Sequence, residues 1–171
     1  HASRAGLPDT SGDDCIWQRW KRDGEAQGER VRAGLRNGVQ DALLALGTGF
    51  LATGDNHELR RRLESGELTK DAYFQQLLRL VYRFLFLFTI EERNLLHAPD
   101  HSAEAHQARE TYAKGYALRR LRDRSLRRVG FDRFTDLWAG IKIVFHGLAL
   151  GESRLALPAL GGLFAKTQCP D

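Results

Sequence analysis

Residues Leu80–Asn94 read LVYRFLFLFTIEERN, an apolar and aromatic run that stops abruptly on two glutamates and an arginine. Whether it is helix or strand decides the fold. Phe84–Phe88 is built of strand-favouring residues, but no glycine or proline interrupts the chain from Lys70 to Pro99, and a helical pattern flanks the run on both sides. Tyr73, Phe74, Leu77, Leu78 and Val81 mark one apolar face, after which Phe84–Phe88 is apolar all round. The spacing predicts a helix over Lys70–Leu96 with Thr69 as N-cap, about 40 Å long, passing from the edge of a bundle into its centre.

Upstream, DNHELRRRLESG places Asp55 three residues before Glu58, the pattern of a capping box, and Gly66 as a left-handed stop. Before that, Val31, Leu35, Val39, Leu43 and Leu46 recur every three or four residues, predicting a helix from Glu29 to the glycines at 47 and 49. Asp13 or Asp14 suits the cap of a separate short helix carrying Ile16, Trp17 and Trp20. Downstream come a polar helix near Glu104–Ala113, an arginine-rich segment, and an apolar helix capped by Asp132 and stopped by Gly151. The expected fold is all-α, an irregular multi-helix bundle around a long central helix with an extended C-terminal tail. Residues 1–12 are expected to be a tag remnant or disordered lead, and 13–171 a single α-helical connector domain.

Length agrees, since 171 residues suit one domain with a proper core. Cys15 and Cys169 share no metal-site or disulfide-framework spacing, which fits a reducing, cytoplasmic setting. The longest apolar run is far below the ~20 residues of a membrane span. The chain has no methionine and opens on HAS, which reads as a tag remnant, so a piece of a longer protein is expected. The net charge of +4 is local: Tyr116–Arg133 holds seven arginines and two aspartates, or +5, leaving −1 for the rest.

No catalytic constellation emerges. The glycines of LGTGFL (Leu46–Leu51) follow a predicted helix rather than a strand, so they read as a terminating turn and not as a nucleotide or S-adenosylmethionine loop. His97, His101 and His106, with Asp100 and Glu104, lack the spacing of a metal motif, and Pro99 breaks any common face. Glu91, Glu92 and Arg93 would need a Glu-x-Lys partner to make a divalent-metal nuclease, and none exists. They read instead as the point where a buried helix regains water or pairs with Arg79 or Arg83. On a helical wheel Arg120, Arg124, Arg127 and Arg128 share roughly 100° of arc, with Arg122 on the other side. That stripe suits contact with nucleic-acid phosphates, against the plainer alternative of a solvated face.

The order VRAGLRNGVQDALLALGTGF, LLRLVYRFLFLFTIEERNLLHAPD, YAKGYALRRLRDRSLRR, DLWAGIKIVFHGLALGE and LPALGGLF resembles the helical region ahead of the methyltransferase domain in fused type II restriction-modification enzymes and related phage-defence adenine methylases. The likeness runs from about Val31 to Pro170. It implies a helical connector between nuclease and methylase domains, with DNA as the parent's partner. S-adenosylmethionine, and with cleavage magnesium, belong to the parent and not to this chain. The adenine-flipping NPPY motif is absent, and no catalytic residue transfers. A rival expectation is a module that docks neighbouring domains without touching DNA, through exposed apolar residues Leu157, Leu160 and Phe164.

Overall fold

The computed structural model describes residues 16–126 and 135–165. The chain divides into two units, 1–45 and 46–171. Among the described residues the fold is all-α: α1 (Ile16–Ala52), α2 (His57–Glu64), α3 (Lys70–Glu92), α4 (Ala103–Gly115), α5 (Leu118–Ser125) and α6 (Asp136–Leu150), followed by 3-10 turns at Ser153–Leu155 and Gly162–Phe164. None of these helices is long and apolar enough to cross a membrane.

The glycines at 47 and 49 do not end α1, and no break separates the two helices expected before them. A helical glycine costs only ~1 kcal/mol, and tertiary contacts override it. Gly47 is buried where a Cβ would lie 3.1 Å from Leu77 Cδ1, and its carbonyl accepts from the Tyr73 hydroxyl at 3.0 Å. The helix stops instead at Ala52, where the Arg60 guanidinium donates to the carbonyls of Leu51, Thr53 and Gly54. In the first unit two of the periodic apolar positions are uncovered, Val31 at 65% and Leu35 at 55% exposure, while Val39 and Leu43 are half-buried.

Asp55 is not a helix cap. Asn56 occupies that position without a side-chain cap bond, and its amide donates to the Phe50 carbonyl. Glu58 is used by Arg61, which donates to both carboxylate oxygens at 2.8 and 2.6 Å. Thr69 caps α3 as expected, accepting from the Ala72 amide at 3.1 Å. The helix ends four residues short of Leu96, because Asn94 turns left-handed (φ 54°).

Nor is Phe84–Phe88 enclosed all round. Leu87 is 1% exposed, while Phe86 is 38% exposed. The buried line Leu77, Leu80, Val81 and Leu87 follows one helical face, packing α3 by one side against the core of the second unit. Val144, Phe145 and Leu148 of α6 and Tyr112 of α4 complete that core.

Gly151 (φ 88°) stops α6 as expected, and the chain then turns back on itself. Glu152 and Leu157 form an antiparallel bridge, and the Leu148 carbonyl accepts from the Leu160 amide at 2.8 Å. This return buries Leu155, Leu157 and Phe164 to 5% exposure or less. The tail is therefore part of the core, and the exposed apolar surface expected at Leu157 and Phe164 does not exist. Leu160, at 45%, is the exposed member of that trio. The same return covers Gly147, where a Cβ would lie 2.8 Å from Leu157 Cδ1.

Candidate nucleic-acid interface

Arg83 and Glu91, two turns apart on α3, lie where its two charged functions are decided. Neither pairs with the other. Arg83 is 6% exposed, with its guanidinium 5.2 Å from the Phe145 ring centroid and 5.8 Å from that of Phe164. Its Nε donates to the Leu163 carbonyl at 2.9 Å. A delocalised, weakly hydrated cation tolerates such an aromatic slot better than an ammonium would. Its role is to hold the returning tail.

Glu91 faces the other way. Its Oε1 accepts from the Tyr112 hydroxyl at 2.5 Å and the Leu118 amide at 2.8 Å, and its Oε2 from the Arg119 amide at 3.0 Å. The first amides of α5 have no partner inside that helix, and its own N-cap residue, Ala117, has no side chain that could serve. A carboxylate from α3 therefore caps α5, with added benefit from the positive end of the helix dipole. Tyr112 is buried at 2% exposure, and burial first, then its bond to Glu91, pushes the phenol well above its ordinary range.

So held, α5 buries Leu118 and turns Arg119, Arg120, Arg122 and Arg124 to the surface, against one acid, Asp123. Arg120 and Arg124 come together as predicted, lining one cavity of about 420 Å³ between α5 and α6. Asp123 and Asp136 line it too, so its charge is balanced rather than purely basic. Arg120 also donates to the Gly115 carbonyl at 2.5 Å, closing the end of α4. Arg127, Arg128 and the expected cap Asp132 lie outside the described residues.

The histidine segment does not assemble. His97 Nδ1 donates to the Ala156 carbonyl at 2.9 Å, and its ring meets Tyr112 edge-on at 5.3 Å. Among the described residues no three potential metal ligands converge. Leu46–Leu51 lies within α1 and forms no phosphate-binding loop.

Sequence reasoning missed both Glu91 as the cap of α5 and Arg83 as the clasp of the tail. The abrupt charge after the apolar run was the visible signal, but its partners lie 21 to 28 residues on for Glu91 and 80 for Arg83. Comparison with protein-family models, curated proteins and solved structures found no match.

Proposed function

We propose that this chain is a non-catalytic helical connector of a type II restriction-modification enzyme or DNA adenine methyltransferase, working in the cytoplasm, and that α5 contacts DNA phosphates without reading sequence. The observation that carries this is the Glu91 cap, which fixes a short helix with four arginines at the surface of a packed core. Exposed guanidinium groups on a fixed element suit phosphate contact. S-adenosylmethionine, and magnesium where DNA is cut, would act in neighbouring domains.

Anisotropy titrations of duplex DNA over a salt series test it. With Arg120, Arg124, Arg127 and Arg128 all replaced by Ala, the log-log slope should fall by ~0.9 for every phosphate that the chain no longer neutralises. A slope equal to that of the unsubstituted chain rejects the assignment.

A second reading, docking of neighbouring domains without DNA, is favoured by apolar residues left open on the last helix and its return: Ile143 at 46%, Leu150 at 68% and Leu160 at 45% exposure. It predicts that charged replacements at those three positions abolish association with the methylase portion while leaving DNA binding alone.

A further inference from the structure

A second cavity, of about 720 Å³, opens between the α3–α4 connection and the corner where α4 meets α5. Its size falls in the range typical of small-molecule sites. Leu95, Leu96 and Pro99 supply apolar wall, while Arg109 and Arg119 supply two guanidinium groups. The one wall carboxylate, Glu91, already accepts from three donors, so its hydrogen-bonding capacity is directed inward to Tyr112 and α5.

Arg109 is unusual. One terminal nitrogen donates to the Ala98 and Asp100 carbonyls, anchoring the connection, but its Nε is buried and has no partner among the described residues. Arg109 also lines the cavity, where a guanidinium can take a carboxylate or phosphate oxygen through charge-assisted hydrogen bonds. Arg119, whose backbone is fixed by Glu91, places a second cation on the same cavity.

We propose that this cavity binds a small organic anion, a carboxylate or phosphate group carried on an apolar body, with Arg109 and Arg119 taking the charge and Leu95, Leu96 and Pro99 covering the body. The site is independent of the DNA reading, since it needs neither Arg120 nor Arg124.

Phenyl phosphate, benzoate, inorganic phosphate and phenol, each titrated into the full chain by calorimetry and followed by nitrogen-15 NMR, provide the test. The expected result is saturable binding of phenyl phosphate or benzoate, at least tenfold tighter than inorganic phosphate or phenol, with the Arg109 Nε–H resonance shifting. Which of the two aromatic anions binds better tells phosphate from carboxylate. Arg119→Gln, at an exposed side chain, should weaken binding at least tenfold without lowering the melting temperature. Arg109→Gln should abolish binding, and Arg109→Lys, which keeps the charge, should not restore it. No saturable binding of either aromatic anion, equal binding of inorganic phosphate, or undiminished binding by Arg119→Gln overturns the proposal.

Discussion

The Tyr112 hydroxyl donates to Glu91 Oε1 at 2.5 Å, joining the last turn of α3 to α4 beneath the start of α5. Burial of this phenol, and after it this hydrogen bond, makes stability depend on alkaline pH. The phenol holds its proton to higher pH in the folded chain than in the unfolded one, where the ordinary value is 10.0. Above that value the folded state binds more protons, so stability is full below about pH 10 and falls as pH rises through it, by up to ~1.4 kcal/mol per pH unit for one group. Urea melts between neutral pH and pH 11 should show that decline, and Tyr112→Phe should remove most of it. Tyr73, which burial also raises, keeps its own contribution.

Replacing Glu91 by Gln keeps the shape but removes the charge that three donors share. A loss of about 2–3 kcal/mol is expected, in line with hydrogen bonds to charged groups. Combined with Tyr112→Phe in a double-mutant cycle, the pair should show coupling of about 1 kcal/mol or more, whereas Glu92→Gln, on an exposed neighbour, should be close to neutral.

Arg83→Ala should cost about 2–4 kcal/mol, since it removes the bond to Leu163, the stacking on two rings and the packing of the stem. Arg83→Lys keeps the charge but has no Nε to aim at Leu163 and should recover only part of it. Hydrogen exchange read at the Phe164 amide should speed up in both, because the clasp on the returning tail is gone.

Two glycines separate packing from propensity. At Gly147 a methyl would strike Leu157 Cδ1 at 2.8 Å and Glu152 Cβ at 3.1 Å, so Gly147→Ala should lose about 1–3 kcal/mol. At Gly38, on α1, no atom of the described residues outside the helix's own backbone lies within 4 Å of the added methyl, and Gly38→Ala should gain about 0.5–1 kcal/mol. Thermal melts of the two variants moving in opposite directions would bear this out.

The helical class, the Thr69 cap and the Gly151 stop were legible because each rests on local chemistry a few residues wide. The end of α1 was not, since glycines mark a stop only when no neighbour supports the helix beyond them, and Arg60 supplies that support from a later element. The tail looked unfinished for a similar reason. LALPALGGLF carries no period, and its order comes from a bridge and from Arg83, which no local pattern announces. At the candidate site the arginines could be read directly. The acid that aims them could be seen but not assigned, because a cap supplied from another helix has no spacing rule.

An eight-residue helix is too short to persist in water by itself. A synthetic peptide of Leu118–Ser125 would carry the same charges with no bearing of its own. The direction in which this molecule presents its arginines is thus a property of α3, and turning them elsewhere means first prising a carboxylate from three donors.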